Sequence, residues 1–248
     1  MKVSIVTAVY NRVATVADTI ESVLNQSYQN IEYIVVDGMS SDGTQEVVAK
    51  YADRIDRHVR EKDHGIYDAL NKGIRLATGD IVGLLHADDF FADTEVISRI
   101  VATFDNHPET MGTYGDLNYV DAKDKSRLIR RWRSGDYQPQ KFQTGWMPPH
   151  PTVYLRRKCY LDHGLFRDDF KLAADYELLL RMMFVHRIPI RYIPKTLVCM
   201  RVGGKSNASL ANRLTANRED ARAWKVNGLH PPVGLRILKP LRKLSQYF

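Results

Sequence analysis

The chain has 248 residues, of which 44% are hydrophobic and 26% charged, an ordinary composition for a globular protein with one large domain or two small ones. Its net charge of +7 comes almost entirely from the six Lys and Arg residues that follow Asp220, because no acidic residue lies beyond that position. The nearly neutral remainder argues against a nucleic-acid-binding protein, which would carry basic residues across one face of its core.

The two cysteines and the N-terminus bear on where the chain works. Cys159 and Cys199 are too few and too far apart to form a disulfide framework or a zinc cluster, so we expect two buried, reduced thiols. The N-terminus enters an apolar strand pattern at once and lacks a signal-peptide cleavage pattern. No apolar run reaches the roughly 18 residues that a membrane-spanning helix requires. We therefore expect a cytoplasmic protein.

Strand and helix patterns alternate through the first part of the chain. They predict strands at 3–9, 31–36, 57–59 and 81–85, and helices at 14–24, after the SSDGT turn, and at 66–77. Because the strands alternate with helices and are apolar throughout, they predict an α/β fold. Its sheet is expected to be mostly parallel, with helices on both faces.

The second part of the chain follows a looser pattern. It predicts a helix at 94–104, antiparallel strands at 113–120 and 127–133, the loop GWMPPHPT, a helix at 175–185, strand-like segments up to residue 200, and a last helix at 210–226. These elements suggest a smaller antiparallel and helical region beside the parallel sheet. We predict one domain over 1–228, with two halves meeting near residue 110, followed by a basic, apolar tail at 229–248.

Polar residues follow three of the predicted strands. Tyr10 and Asn11 come after the first strand, Asp37 after the second, and the pair Asp88 and Asp89 after the fourth. Ligands of open α/β sheets bind outside the carboxyl ends of the strands, so we expect these side chains to line one crevice.

The acidic residues among them have two interpretations each. Asp88 and Asp89 suit a divalent metal, because one or two carboxylates and diphosphate oxygens form a common Mg²⁺ site, but they also suit the N-cap of the next helix. Asp37 follows an apolar run in which an unpaired charge is costly, which suits a hydrogen bond to a base or ribose. Its alternative role is to cap the SSDGT turn, although Ser41 and Asp42 already suit that turn.

Four separated segments match a known pattern in both order and spacing. They are VSIVTAVYN, SVLNQSYQNIEYIVVDGMSSDGT, DHGIYDALNKGIRLATGDIVGLLHADD and LFRDDFKLAADYELLLR. Through these motifs the chain resembles the inverting glycosyltransferase family 2 of the GT-A fold over residues 3–205. DHGIYDALNKG and AADYELLLR are most similar to the branch that builds bacterial O-antigens, capsules and exopolysaccharides.

The resemblance implies a role for each matching position. Asp175 is the implied catalytic base, which takes the proton from an acceptor hydroxyl as it attacks the anomeric carbon with inversion. Asp88 and Asp89 are the implied ligands of Mg²⁺ or Mn²⁺, and Asp37 is implied to contact the base of a UDP-sugar. The full set of implied donor-binding residues is Ala8, Tyr10, Asn11, Asp37, Asp68, Asn71, Asp88 and Asp89.

Two positions depart from the family's pattern. His86 stands where many members have the first acid of Asp-x-Asp-Asp, which leaves open whether His86 is a metal ligand or a hydrogen-bonded wall residue. Ala174 stands where many members have the Glu of Glu-Asp, so the base is kept and its neighbour is lost. Asp175 also has a structural alternative, since the helix dipole favours an acid in the first turn of a helix.

Two further segments have candidate roles on the acceptor side. The proline-rich loop presents Trp146 and His150, and related sequences place a His of this region near the active site. Both residues are therefore candidates for contact with the acceptor or the diphosphate. The four Arg residues between 127 and 133 suit either an anionic acceptor or a solvated strand face.

The tail GLRILKPLRKLSQYF combines leucines with cations. Such a segment suits an anionic membrane surface, where each cation contributes about 1 kcal/mol near the headgroups. The alternative is a tail that packs on its own domain or is disordered. The resembled branch uses polyprenyl-diphosphate-linked acceptors, so we expect peripheral contact with the inner face of the cytoplasmic membrane.

Taken together, these features predict an enzyme of the glycosyltransferase class. It would move a sugar from a UDP-sugar to a polyprenyl-diphosphate-linked saccharide in bacterial surface polysaccharide synthesis, with no nucleic-acid partner. One alternative is a nucleotidyltransferase of similar fold, but TAVYNR lacks the glycine of a phosphate-binding loop. The other is a non-catalytic basic module that binds membranes or nucleic acid, against which the neutral core argues.

Overall fold

A computed structural model describes residues 1–203, 210–235 and 238–239 of the chain. Within them, the strands are β1 (Val3–Val9), β2 (Ile31–Asp37), β3 (Arg57–Arg60), β4 (Ile81–Leu84), β5 (Asp89–Phe91), β6 (Gly112–Val120), β7 (Leu128–Trp132), β8 (Tyr154–Arg156) and β9 (Ile190–Arg201). The α-helices are α1 (Val16–Leu24), α2 (Thr44–Ala49), α3 (Ile66–Leu76), α4 (Val96–Asn106), α5 (Gln140–Gln143), α6 (Arg157–His163), α7 (Ala174–Leu179) and α8 (Leu210–Val226). Short 3₁₀ turns lie at Ala52–Arg54 and His150–Thr152, and a π-helical turn at Leu180–Val185 follows α7.

All of these strands belong to one sheet, in the order β3-β2-β1-β4-β8-β6-β9-β5, with β7 paired to β6. β1 is parallel to β2 and β4, β2 is parallel to β3, and β6 is parallel to β9. β8 lies antiparallel between β4 and β6, so β4 and β6 run in the same direction. The carboxyl ends of β1, β2, β4, β6 and β9 therefore meet at one edge of the sheet.

The central strands are buried on both faces. In β1, Val6 and Ala8 pack into the cluster that contains α3, whereas Ile5 and Val9 pack into the cluster that contains α1 and α4. Helix α3 lies close to β1 because its residue 73 is Gly, and a Cβ at Gly73 would overlap the side chain of Val6. Helices thus cover both faces of the parallel strands, as the apolar pattern predicts.

The predicted α/β fold is confirmed, and the predicted strands and helices of the first 85 residues lie within about two residues of those observed, the usual uncertainty of an element's ends. The predicted antiparallel pair at 113–120 and 127–133 corresponds to β6 and β7. Two strands and two short helices were not predicted: β5, β8, α5 and α6. The two strands have three residues each, which is too short for an alternating pattern to emerge.

Two expectations need correction. The helix predicted at 175–185 is α-helical only to Leu179, and from Leu180 its hydrogen bonds are those of a π-helical turn. The interpretation of Asp88 and Asp89 as an N-cap is wrong, because α4 begins only at Val96. Asp89 instead opens β5, where it pairs with β9.

The described residues include no helix that is both long and apolar enough to cross a membrane. The tail predicted at 229–248 lies partly outside the described residues, which omit 236–237 and 240–248. Where the tail is described, Leu235 is 2% exposed and the amino group of Lys239 lies 2.6 Å from Asp220. That part of the tail packs on the rest of the chain, while its membrane contact and the division of the domain near residue 110 stay predictions.

Candidate active site

The loops that follow β1 and β2 are tied together by hydrogen bonds. Asn11, whose φ is +51°, donates its backbone N–H to Ser40 Oγ at 2.9 Å and accepts the backbone N–H of Ser41 at Oδ1, also at 2.9 Å. Asp37, the last residue of β2, accepts the backbone N–H and the hydroxyl of Ser40 at Oδ1, at 2.9 and 2.6 Å. The structure therefore brings Asn11 and Asp37 to the same place at the edge of the sheet.

The side chain of Asp37 is fully buried, and among the described residues only its Oδ1 has hydrogen-bond partners. Its Oδ2 lies 3.5 Å from Nε of Arg60, the last residue of β3. A buried carboxylate needs such a counter-charge. Asp37 thus stabilises the SSDGT turn with one oxygen, and its other oxygen lies beside Arg60. Its contact with a base or ribose stays a prediction.

Tyr10 forms an aromatic surface next to this carboxylate. Its side chain is 53% exposed, whereas Ala8 is buried within β1. A Cβ at Gly38 would touch the Tyr10 ring at 3.5 Å and collide with the carboxylate of Asp63. A side chain at residue 38 would therefore displace the Asp63 carboxylate. An exposed ring beside a buried acceptor suits a stacked base.

Asp88 is held between two arginines at the end of β4. Its Oδ2 lies 3.5 Å from Nε of Arg12, and its backbone carbonyl accepts a hydrogen bond from Arg201 at 2.8 Å. Arg201 also pairs with Asp18 on α1. Burial opposes ionisation of Asp18, but Lys125 and then Arg201 lower its pKa. The Asp88 side chain remains 33% exposed, so it is open to a ligand.

Asp89 is in a different environment from its neighbour. It is 1% exposed, and its Oδ2 has no hydrogen-bond partner among the described residues. Burial, and then the charge of Asp88, raise the pKa of Asp89 well above its ordinary value. A cation near this carboxyl would reverse that effect, because a bound divalent ion favours the ionised form of its ligands.

The side chains at this edge could supply only some of the ligands of a divalent metal. No group of three His, Cys, Asp or Glu side chains suited to a metal occurs within the residues that the structure describes. A metal bound by one or two carboxylates and completed by diphosphate oxygens needs no such group. Asp88, with its exposed carboxylate, and Asp89, with its unpartnered oxygen, fit a metal that arrives with a diphosphate.

Asp175 lies in the first turn of α7 and connects through His150 to the end of β4. Its Oδ2 is 3.4 Å from Nδ1 of His150, and Nε2 of His150 is 2.7 Å from Nε2 of His86. The Asp175 side chain is 22% exposed, and burial raises its pKa above the ordinary value. The structure therefore brings together His150 and Asp175, which the sequence places in separate segments.

The protonation of the two histidines follows from these contacts. Burial lowers the pKa of His86 and of His150 to about 4, so both imidazoles are neutral at neutral pH. A His150 that donates Nδ1–H towards the Asp175 carboxylate has a bare Nε2, which then accepts the Nε2–H of His86. This leaves Nδ1 of His86 as a buried acceptor without a partner among the described side chains.

The second oxygen of Asp175 faces an aromatic wall. The hydroxyl of Tyr67, on α3, lies 3.5 Å from Oδ1, and the Tyr67 ring stacks on Phe166 with centroids 5.5 Å apart. A small apolar cavity beside Asp175 and His150 is lined by Leu84, Val153, Leu155, Tyr160, Phe166, Leu178 and Leu179. The carboxyl is thus a single acidic group in mainly apolar surroundings, which is the environment of a general base with a raised pKa.

A family comparison identifies the class of protein independently of this geometry. Residues 4–161 match the family described as Glycosyl transferase family 2. The chain belongs to this family. It is therefore a glycosyltransferase, and the alternatives of a nucleotidyltransferase and of a non-catalytic basic module fall away.

Curated relatives of this chain are also named as glycosyltransferases. A PGL/p-HBAD biosynthesis glycosyltransferase of Mycobacterium bovis is 26% identical over 208 residues, which cover 82% of this chain and 78% of the relative. An uncharacterized glycosyltransferase of Nostoc sp. is 30% identical over 231 residues, covering 88% of this chain and 70% of the relative.

Solved structures share the GT-A fold of this glycosyltransferase. Residues 1–349 of TarS from S. aureus, in complex with UDP-GlcNAc, superpose with a TM-score of 0.69 at 18% identity, over 92% of this chain and 65% of that one. The mannosyltransferase PcManGT from Pyrobaculum calidifontis, in complex with GDP-Man and Mn²⁺, superposes with a TM-score of 0.66 at 19% identity. The match covers 96% of this chain and 68% of that one. At these identities the likeness shows the fold alone.

Two residues predicted to bind ligands in this glycosyltransferase are engaged elsewhere. The amide of Asn71 is 4% exposed and makes two hydrogen bonds with the backbone of Phe166, at 2.8 and 3.0 Å. Trp146 is 7% exposed and donates its indole N–H to the carbonyl of Ser134 at 3.0 Å. Asn71 thus holds the loop that carries Phe166, and Trp146 is a core residue. The contacts of both with ligands stay predictions.

Asp68 is the remaining predicted donor residue. Its Oδ2 accepts the backbone N–H of His64 at 3.1 Å and lies 3.4 Å from the amino group of Lys72. These contacts stabilise the start of α3, and they lower the pKa of Asp68 although burial opposes them. A contact of Asp68 with the donor stays a prediction.

Several residues that surround the glycosyltransferase site were not predicted. They are Arg12, Arg60, Tyr67 and Arg201. Arg60 ends β3 at the same edge as Asp37, so the rule about strand ends would have found it. The contacts of Tyr67 and Arg201 join distant segments, and no local pattern signals them.

A separate surface cleft of about 440 Å³ lies at the other end of the sheet. It is lined by His107 after α4, by Asp136 and Tyr137, and by the first residues of β9. Because β9 runs in the same direction as β4, its first residues lie at the edge opposite Asp88. This cleft is therefore distinct from the glycosyltransferase site.

Proposed function

We propose that this glycosyltransferase transfers a sugar from a UDP-sugar to a hydroxyl of a lipid-linked saccharide, with inversion at the anomeric carbon, in bacterial surface polysaccharide synthesis. The observation that carries the proposal is the link Asp175–His150–His86, which joins a partly buried carboxyl to the strand end that bears Asp88. The link supports a base at Asp175 on one side of the reaction centre and diphosphate binding at Asp88 on the other.

Donor binding uses the loops after β1 and β2. Tyr10 stacks on the base, and Oδ2 of Asp37 accepts one N–H from it, since that oxygen lacks a hydrogen bond and sits beside Arg60. Uracil offers one such N–H, and TarS is a fold neighbour with UDP and UDP-GlcNAc bound. Asn11 fixes the loop against Ser40 and Ser41.

The metal site consists of Asp88 and Asp89 together with the donor's diphosphate. Mg²⁺ or Mn²⁺ bound there would stabilise the charge that develops on the leaving diphosphate. Arg12 and Arg201 contribute positive charge to the same region and hold Asp88 in place. PcManGT, a fold neighbour, is described with Mn²⁺.

Asp175 removes the proton from the acceptor hydroxyl. The hydroxyl oxygen attacks the anomeric carbon at the same time, on the face opposite the UDP. The carboxyl must be ionised to accept the proton, and N–H donation from His150 favours the ionised form. Tyr67 donates towards the other oxygen and so orients the carboxyl. The apolar wall around Phe166 keeps bulk water away from the base.

Because a lipid-linked acceptor lies in a membrane, the C-terminal tail would hold the enzyme at the membrane surface. A mycobacterial relative is named for PGL/p-HBAD biosynthesis, and the tail has further basic and apolar residues beyond Lys239, which suit an anionic membrane. We place the enzyme at the inner, cytoplasmic face of the membrane, with residues 1–110 binding the donor and 111–228 the acceptor. Deletion of residues 240–248 is expected to move it from the membrane fraction to the supernatant, and no movement would contradict this placement.

The proposed donor is tested by a screen of nucleotide-sugars for release of the nucleoside diphosphate, with and without Mn²⁺ and with lipid-linked oligosaccharides as acceptors. We expect metal-dependent release from a UDP-sugar that increases when the acceptor is present. Turnover of GDP-sugars alone would overturn the choice of UDP. Turnover that is insensitive to acceptor would overturn the proposed acceptor class.

A further inference from the structure

Glu219 on α8 binds the turn that leads into α7. Its carboxylate is 8% exposed and accepts three consecutive backbone N–H groups: those of Lys171 at 2.8 Å, Leu172 at 2.8 Å and Ala173 at 2.9 Å. Successive N–H groups that converge on one anion form a nest, which fixes the backbone that supplies them. A residue from a distant helix therefore sets the path of the chain into α7.

The local sequence does not fix the start of α7 by itself. The N-cap residue is Ala173, which has no side-chain oxygen to accept the free N–H groups of the first turn. The helix has only six residues before its hydrogen bonding changes at Leu180. Asp175 is the second residue of this short helix, so its position depends on how the preceding turn is held.

Other contacts between α8 and this region are independent of the carboxylate of Glu219. Arg222 pairs with Asp169 and lies 4.4 Å above the ring of Phe170. Trp224 donates its indole N–H to the hydroxyl of Tyr176 at 3.0 Å. Because these contacts dock α8 without binding the three N–H groups, they offer matched controls for the role of Glu219.

We propose that Glu219 is a positioning residue for Asp175. By binding the turn at residues 171–173, it holds the Asp175 carboxyl at the distance from His150 and Tyr67 that the reaction requires. This inference rests on the proposed role of Asp175 as the base. It adds that the acceptor-side chemistry depends on α8, whose described residues do not line the cavity beside Asp175.

The test replaces Glu219 in the full-length enzyme and measures steady-state kinetics with a UDP-sugar and acceptor. Glu219→Gln puts an amide NH₂ against backbone N–H donors, so at least one of the three hydrogen bonds is lost. We expect kcat to fall about tenfold to 100-fold, the effect of a small displacement of a catalytic group. The KM for the UDP-sugar should stay unchanged, because the donor binds at other loops.

Glu219→Asp keeps the charge on a shorter side chain and is expected to recover part of kcat. It also serves as the folded variant if Glu219→Gln fails to fold, which circular dichroism reports. The acid limb of the kcat–pH profile should move in both variants, since the surroundings of Asp175 change. Unaltered kcat and an unaltered pH profile in the folded variant would overturn the inference.

Arg222→Ala is the control for a general loss of α8 docking. It is expected to lower the melting temperature with little change in kcat, whereas the Glu219 variants lose kcat beyond what their melting temperatures explain. If Arg222→Ala and the Glu219 variants lose kcat equally at equal stability, Glu219 has no special role. Asp175→Asn separates the two proposals: turnover in that variant contradicts Asp175 as the base, whatever the Glu219 variants do.

Discussion

The Nε2 atoms of His86 and His150 lie 2.7 Å apart, so one N–H of these two partly buried imidazoles lies between the rings. Since both pKa values are lowered to about 4, neither ring is charged at neutral pH, and one must donate while the other accepts. The contact joins the end of β4 to the loop before β8. It therefore connects the region of Asp88 with the region of Asp175.

The role of Asp175 is tested by Asp175→Asn. An amide cannot take the acceptor proton, so we expect transfer to fall by about 10² to 10⁴, the usual contribution of a general base. Calorimetric titration should give an unchanged Kd for UDP. The exposed Asp168 provides the control Asp168→Asn, which should transfer normally. Substantial turnover by Asp175→Asn would exclude it as the base.

The buried histidines predict how stability depends on pH. Their folded pKa values of about 4 lie below the ordinary 6.5, so the unfolded chain binds protons that the folded chain does not. The free energy of unfolding should therefore be highest above pH 6.5 and fall as the pH drops towards 4. Urea titrations at several pH values measure this fall, which His150→Gln should reduce. An equal fall in the wild type and the variant would show that other groups cause it.

The contact of Asp37 with the base is tested with a modified nucleotide. If Oδ2 of Asp37 accepts the N3–H of uracil, 3-methyl-UDP should bind the wild-type enzyme more weakly than UDP. Asp37→Asn should also bind UDP more weakly than the wild type. This variant should bind 3-methyl-UDP almost as well as UDP, because both changes remove the same contact. Additive losses in this double-mutant cycle would indicate that Asp37 and N3 do not touch.

Metal dependence is expected to rest on Asp88. Chelation with EDTA should abolish UDP release, and Mn²⁺ or Mg²⁺ should restore it. Asp88→Asn removes a charged ligand, so it should need more Mn²⁺ for half-maximal activity. Asp53→Asn, at an exposed position, should behave as the wild type. Full activity in EDTA after dialysis would contradict a metal-dependent transfer.

The close contact between α3 and β1 predicts a stability effect. Gly73→Ala would place a methyl group against Val6, so we expect a loss of about 1–3 kcal/mol from overpacking. Arg75→Ala, on the exposed face of α3, should change stability by less than about 0.5 kcal/mol. Denaturant unfolding compares the two variants. Equal stability of both would mean that the helix can move away from the strand.

The parallel half of the fold can be predicted from the sequence, because its long apolar runs indicate buried strands and its helical periodicity indicates the helices between them. For the same reason the position of Asn11, Asp37 and Asp88 at strand ends could be predicted. The burial of Asp89 could not, since it follows from a three-residue strand that pairs with β9. Nor could the position of Trp146, whose loop composition says nothing about the direction of its ring.

Contacts between distant segments account for the remaining differences. His86 and His150 are 64 residues apart in the chain, and their contact depends on β8 pairing with β4. The hydrogen bonds of Glu219 likewise depend on the docking of α8. A local pattern can propose such residues as candidates, but only packing decides which of them meet.

The pairing of β8 with β4 has a consequence for how such enzymes can diversify. Gly83 is opposite Tyr154 in this pair, so the few residues beyond each strand end bring His86 and His150 face to face. Two adjacent strands therefore fix the distance between His86 and His150. Loops outside this pair can change in length or sequence without altering that distance.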